Sequence, residues 1–198
     1  AMVAAHLERG EKLNQSAVWY SRAAEQARKE QAPETAVHHY IQALNLLPAS
    51  PETAVQRISL NDGLGEMLRW QGLYADALEA YQAMIKAGQV VQDESAVVRG
   101  HLALFICYLL QDELTLAEGA AQEAAQIAAA AALADLHLIA RAALGWVMVL
   151  TGDQYSAVQI GKSLYSNSKE TSSLQAKAHV QAPPCFTSAG WAIDCGRG

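Results

Sequence analysis

The sequence predicts an all-α protein, an α-solenoid of antiparallel helix hairpins with a period of about 40 residues. Three observations support this class. Apolar residues recur at helical spacing, and the alternating runs typical of strands are missing. Prolines and glycines divide the chain into pieces of helical length joined by short connections. An alanine recurs at separations of 41, 40 and 40 residues, at Ala36, Ala77, Ala117 and Ala157.

Prolines and glycines mark the ends of the predicted helices. Pro33 suits a first helical turn because that position needs no N–H group. Pro48 ends this helix, and Pro51 opens the next one after Ser50, a residue type favoured at N-caps. Glycines fall where later helices should stop, at Gly72, Gly88 and Gly152. The predicted helices span residues 2–12, 15–30, 33–47, 51–71, 74–87, 93–111, 114–131, 133–151 and 154–167.

Short connections between helices favour antiparallel hairpins. The predicted hairpins lie near residues 15–47, 51–87, 93–131 and 133–167, within a repeat domain of residues 1–167 that begins with helix 2–12. Residues 168–198 are expected to form a partial helix and an irregular C-terminal tail. In this tail, Phe186 and Trp191 either belong to a loosely packed end or cap the apolar end of the array.

Composition argues against several function classes. The formal net charge is −6, and no cluster of Lys and Arg stands out, so direct binding of DNA or RNA is not expected. No apolar run is long enough to cross a membrane, and the N-terminus does not resemble a signal peptide. We therefore expect a soluble, cytoplasmic protein without membrane contact. Cys107, Cys185 and Cys195 form no CxxC pair, which predicts free thiols and no zinc site, and a disulfide between Cys185 and Cys195 across a short loop is the alternative.

No group of residues predicts catalysis. His38 and His39 are adjacent, so a helix points them about 100° apart and they cannot readily hold one metal ion. His101, His137 and His179 have no convincing ligand partner at helical i, i+4 spacing. We predict no catalytic residue, no metal site and no cofactor, and a protein that is not an enzyme. A catalytic set assembled only in space is the alternative that a sequence leaves open.

The stretch LGEMLRWQGLYADALEAY, residues 64–81, resembles a tetratricopeptide repeat (TPR) in its spacing of small and aromatic residues. LGWVMVLTGDQYSA at 144–157 and AVHHYIQALNLLP at 36–48 are partial matches. The resemblance implies that small residues let two helices approach while aromatic residues fill the gap. The third unit departs most, because Phe105 and Asp112 stand where the family favours a small residue and a glycine. The period also exceeds the usual TPR length of about 34 residues.

A period near 40 resembles the helical-repeat regions of large bacterial signalling proteins, including LuxR-type transcription regulators with ATPase modules. This resemblance implies that the chain is a fragment of such a regulator and a non-catalytic scaffold for protein–protein interaction. In TPR arrays, the first helix of each hairpin lines a concave groove where protein or peptide partners bind. The alternative is an effector-sensing domain that binds a small molecule in this groove, and a purely structural spacer is a further hypothesis.

The resemblance also implies which residues face the groove. Transferring the family's groove positions in register with Ala36 and Ala77 gives Glu25, Arg28, Lys29, Asp62, Glu66, Arg69, Trp70 and Trp146. The remaining positions in the C-terminal half are apolar, namely Leu102, Ile106, Leu109, Ala142 and Val149. A polar N-terminal half and an apolar C-terminal half would favour partner binding or self-association. The alternative is that the charges are simply solvated and the apolar positions serve packing.

Overall fold

The computed structural model describes residues 13–168, which fold into eight α-helices without a strand. The helices are α1 (Leu13–Lys29), α2 (Pro33–Leu46), α3 (Pro51–Trp70), α4 (Tyr74–Val91), α5 (Glu94–Leu110), α6 (Leu114–Ala130), α7 (Ala134–Leu150) and α8 (Gln154–Ser168). The predicted all-α class is thereby confirmed. Helix 2–12, the tail after Ser168, Cys185, Cys195 and the capping hypothesis for Phe186 and Trp191 lie outside the described residues.

Contacts between helices follow their order in the chain. Each helix packs against its neighbours in sequence, which gives four hairpins: α1–α2, α3–α4, α5–α6 and α7–α8. The remaining contacts join α1 with α3, α3 with α5 and α5 with α7, all of which are first helices of adjacent hairpins. The first helices thus form one layer and the second helices flank it, which is the architecture of an α-solenoid.

The four recurring alanines occupy the same place in every hairpin. Each is the fourth residue of a second helix, where its N–H group donates to the carbonyl four residues earlier at 2.9–3.1 Å. Ala36, Ala77 and Ala117 are fully buried, and Ala157 is half-buried. Because alanine adds little bulk, the two helices of a hairpin can lie close together at this point.

Residues at the two ends of α2 and in the first turns of α3 connect the first two hairpins. Pro33 and Pro51 lie in the first turns of α2 and α3, and Ser50 is the N-cap of α3, as the sequence predicts. From α3, Arg57 Nη1 donates to the carbonyl of Leu47 at 2.8 Å and to that of Leu44 at 3.3 Å. A cation thereby binds carbonyls at the C-terminus of α2, where the helix dipole favours positive charge.

Each hairpin reverses through one residue in the left-handed conformation. These residues are Gln31, Gly72, Asp112 and Gly152, with φ values from 57° to 85°. Gly88 differs from its predicted role, because α4 continues through it to Val91. A Cβ atom on Gly88 would lie 3.0 Å from Val97 Cγ2, so this glycine brings α4 close to α5 and does not end the helix.

Two glycines of α3 receive tyrosine rings from the second helices. A Cβ atom on Gly65 would lie 2.6 Å from Cε1 of Tyr81, and one on Gly63 would collide with the ring of Tyr40. The two tyrosines are 2% and 1% exposed, so both rings are buried between the helices. The small-residue position of the TPR-like pattern therefore has a direct steric cause.

Ala132, between α6 and α7, has a left-handed backbone conformation with a φ of 55°. Its replacement tests the strain of this conformation. We expect Ala132→Gly to raise the free energy of unfolding by about 0.5–1 kcal/mol. The left-handed conformation strains a residue with a Cβ atom, and relief of this strain exceeds the entropy that glycine adds to the unfolded chain. Chemical denaturation followed by circular dichroism measures the change. Gly72→Ala is the reciprocal control and should destabilise by a similar amount, because Gly72 has a φ of 76°; equal stability of both variants and the parent would contradict the argument.

Candidate binding cavity

A cavity of about 490 Å³ lies along the layer of first helices. Its lining comes from α1, α3, α5 and α7, with Tyr81 added from α4. Since the first helices of adjacent hairpins contact one another, one surface collects side chains from Glu25 to Trp146. The cavity therefore uses all four hairpins of the described chain.

Most of the predicted groove residues reach this cavity. Glu25, Arg28, Asp62, Glu66, Arg69 and Trp146 line it, as do the apolar residues Leu102, Ile106 and Ala142. Lys29 and Trp70, the last residues of α1 and α3, are exposed outside the lining. Leu109 packs against the core, and Val149 is exposed outside the lining. The lining thus excludes the last residue of α1 and the last residue of α3.

Charged side chains of α1 and α3 form ion pairs at the N-terminal end of the cavity. Arg28 Nη2 lies 2.5 Å from Glu66 Oε2, and Arg28 Nη1 lies 3.5 Å from Glu25 Oε2. The hydroxyl of Tyr40 donates a hydrogen bond to Glu25 Oε1 at 2.5 Å. Burial raises the pKa of Tyr40, and its bond to Glu25 raises it further. These bonds fix both carboxylates and hold α1, α2 and α3 in register at the cavity.

A third ion pair crosses from α3 to α5. Arg99 Nη1 lies 3.4 Å from Asp62 Oδ2, and both side chains are half-exposed. Burial raises the pKa of Asp62, while the positive charges of Arg99 and Arg28 partly offset this effect. Exposed pairs of this kind are worth less than about 1 kcal/mol, so their main effect here is on the charge pattern of the cavity.

Arg69 lies at the border between the charged and the apolar parts of the lining. It is half-buried, and none of the described carboxylates lies within 4.0 Å of its guanidinium group. Its electrostatic neighbours are the hydroxyl of Tyr81 and the thiol of Cys107. Burial raises the pKa of Tyr81 to about 12 and that of Cys107 to about 11, and Arg69 partly offsets both shifts. The guanidinium group therefore faces two neutral groups.

Apolar side chains form the C-terminal part of the lining. Leu102 and Ile106 come from α5, whereas Leu136, Ile139 and Trp146 come from α7. All five are half-buried, so each keeps apolar surface in contact with solvent. Such a surface can bind apolar groups of a partner by removing this area from water.

Several lining residues were not identified from the sequence, although a signal existed for some. Arg99 lies three residues before Leu102 and therefore shares its helix face. Leu136 and Ile139 precede Ala142 at the same spacing, so extending the predicted face by two turns would have found them. No pattern on the first helices indicated Tyr81. It belongs to a second helix, and its ring packs against Gly65 beside the cavity.

The described chain shows neither a metal site nor a membrane-spanning helix. Among residues 13–168, no three His, Cys, Asp or Glu side chains come together in a way that could hold a metal ion. Within the same range, no helix combines the length and the hydrophobicity needed to cross a bilayer.

No protein-family profile and no curated protein sequence matches this chain. Among solved structures, the chain is similar to the crystal structure of the apo form of RapI, with a TM-score of 0.74 and 15% sequence identity. The match covers 85% of this chain and 61% of that chain. The fold is that of a TPR-like helical-repeat protein. At this level of identity, the likeness concerns the fold alone.

Two further structures resemble the TPR-like array more distantly. One is MamA, residue 41 to the end, from Desulfovibrio magneticus RS-1, with a TM-score of 0.37, 16% identity, and coverage of 79% of this chain and 97% of that chain. The other is a crystal structure of the MamA protein, with a TM-score of 0.33, 17% identity, and coverage of 78% and 92%. The array spans about three fifths of the length of the RapI chain.

Proposed function

We propose that this chain is a non-catalytic scaffold that binds a protein or peptide segment in the cavity described above, as part of a concave groove. One observation carries the proposal: four hairpins contribute to a single lining that is charged at one end and apolar at the other. A segment lying along the first helices would meet both parts at once. Extended peptides and amphipathic helices are commonly bound along such surfaces by stacked helical repeats.

Selection from a displayed peptide library tests this proposal. We expect the chain to enrich peptides that also bind in solution, and Leu102→Glu to weaken their binding by about tenfold or more, because a charge would enter the apolar part of the cavity. Leu116→Glu is the matched control, since Leu116 is 51% exposed on α6 and does not line the cavity. Equal binding by both variants would place the interaction elsewhere, and circular dichroism verifies that both remain folded.

A small-molecule sensor is the second candidate, and the size of the cavity favours it. A volume of about 490 Å³ falls within the range of small-molecule pockets, about 300–1,000 Å³. Trp146 would then form an apolar wall for the effector. Tryptophan fluorescence titration against a metabolite set separates the two candidates. Saturable quenching that disappears in Trp146→Phe, without enrichment of any peptide, would favour the sensor over the scaffold.

We also propose that the array is the interaction segment of a larger bacterial signalling or transcription regulator. The support is the resemblance of its sequence period to the repeat regions of LuxR-type regulators. The complete reading frame tests this point. An ATPase module before the array, or a DNA-binding helix-turn-helix after it, would agree with the proposal, whereas a frame with neither would contradict it.

A further inference from the structure

The lining of the cavity holds three carboxylates and three guanidinium groups, and they are not paired one to one. Arg28 contacts Glu66 and Glu25, and Arg99 contacts Asp62. Two guanidinium groups thus engage all three carboxylates. Arg69 is the cation for which the described part of the chain provides no carboxylate within 4.0 Å.

The position of Arg69 suggests what could complete this arrangement. Its guanidinium group is half-buried near the uncharged Tyr81 and Cys107, so it has lost part of its hydration without gaining an ionic partner. A carboxylate brought by a bound segment would supply the ionic partner that Arg69 lacks. The planar guanidinium group can form two parallel hydrogen bonds to a carboxylate, which are stronger than bonds between neutral groups.

We infer that the segment bound in this cavity carries an Asp or Glu side chain that contacts Arg69, flanked on one side by large apolar residues. This inference rests on the proposed function of the cavity. The apolar residues would cover Leu102, Ile106 and Trp146, which lie beyond Arg69 in the lining. The charge pattern favours an acidic side chain, because Arg69 is the one arginine of the cavity lining without a described carboxylate partner, and it stands beside the apolar half.

An internal acidic side chain fits the cavity better than a terminal carboxylate. Lining residues continue on both sides of Arg69, with Glu25 and Arg28 towards one end and Leu136 and Trp146 towards the other. A segment that fills the whole lining would therefore continue past Arg69 in both directions. The chain terminus of such a segment would lie away from the guanidinium group.

Parallel selections with a seven-residue peptide library test the inference. One arm displays the peptides internally, without a free C-terminus, and the other displays them with a free C-terminus. We expect the parent chain to enrich an Asp or Glu next to large apolar residues in both arms. We expect Arg69→Glu to replace this preference by Lys or Arg, and Arg69→Gln to bind the acidic peptides roughly tenfold more weakly. Arg22→Gln is the matched control, since Arg22 lies over Trp19 and outside the cavity.

The outcomes separate the inference from the function on which it rests. Enrichment of peptides without an acidic preference, or an unchanged preference in Arg69→Glu, would overturn the inference and leave the scaffold function standing. Enrichment seen only with a free C-terminus, and without a preference for Asp or Glu, would also overturn it, because the carboxylate at Arg69 would then be terminal. Absence of any enrichment would overturn both.

Occupation of the apolar half by a second copy of this chain is a further outcome that the test must distinguish. Light scattering across a concentration series measures it. A dimer that Leu102→Glu dissociates and that excludes the enriched peptides would identify the second copy as the occupant and overturn the inference. A monomer that binds acidic peptides agrees with it.

Discussion

Replacing Gly65 with alanine is expected to lower the free energy of unfolding by about 1–3 kcal/mol. The added Cβ atom would lie 2.6 Å from Cε1 and 2.7 Å from Cζ of Tyr81. The ring cannot move away cheaply, because Tyr81 is buried between α3 and α4. Either the ring leaves its preferred rotamer or the two helices separate, and both changes cost packing energy. Chemical denaturation of purified protein measures the loss.

Gly119→Ala provides the matched control for this prediction. Gly119 lies on the exposed side of α6, and no atom lies within 4 Å of the position of its Cβ. The same substitution should therefore stabilise the protein by up to about 1 kcal/mol, since alanine has the higher helix propensity. If both variants were stabilised equally, the close approach between Gly65 and Tyr81 would be contradicted.

Raising the pH above about 10 is expected to destabilise the fold, and Tyr81 alone should account for roughly 2–3 kcal/mol. Burial raises the pKa of Tyr81 from its ordinary value of 10 to about 12, while Arg69 partly offsets this effect. The unfolded chain releases the phenol proton near pH 10, but the folded chain keeps it until about pH 12. The unfolded state thus binds fewer protons in this range, and stability falls as the pH rises through it.

Denaturant unfolding at a series of pH values between 9 and 12 measures this dependence. Tyr81→Phe should flatten the decline, because phenylalanine has no proton to release. Some decline should persist, since burial and the bond to Glu25 also raise the pKa of Tyr40. Tyr155→Phe is the control, as Tyr155 is 77% exposed on α8. An unaltered slope in Tyr81→Phe would show that the buried phenol does not determine alkaline stability.

Features that depend on neighbours in the chain could be predicted from the sequence. Pro33, Ser50 and Pro51 act within one helical turn, so their positions marked the starts of α2 and α3 correctly. Gly72 likewise ended a helix because its backbone conformation is a local property. Gly88 gave the wrong end for α4, since its role depends on Val97 in the next helix. A glycine in the sequence alone does not reveal whether it serves a left-handed backbone conformation or a close approach between two helices.

The cavity was predictable along each helix but not between helices. The TPR-like resemblance placed Asp62, Glu66 and Arg69 on the groove face of one helix, a placement that their helical spacing permits, and they share the lining. The pairing of Asp62 with Arg99 depends on how one hairpin is rotated against the next. This rotation arises from packing across the hairpin interface, so no local pattern could show that Arg69 would lack a carboxylate neighbour.

Because contacts are restricted to neighbouring helices, the array can fold and unfold in steps along the chain. Every pair of packed helices is close in sequence, so folding requires no long loop to be closed, and structure can begin in any hairpin and spread. Among the described helices, α8 contacts only α7, whereas α3 contacts α1, α2, α4 and α5. Backbone amides of α8 should therefore exchange with solvent through local fraying, while those of α3 should exchange only when most of the array unfolds.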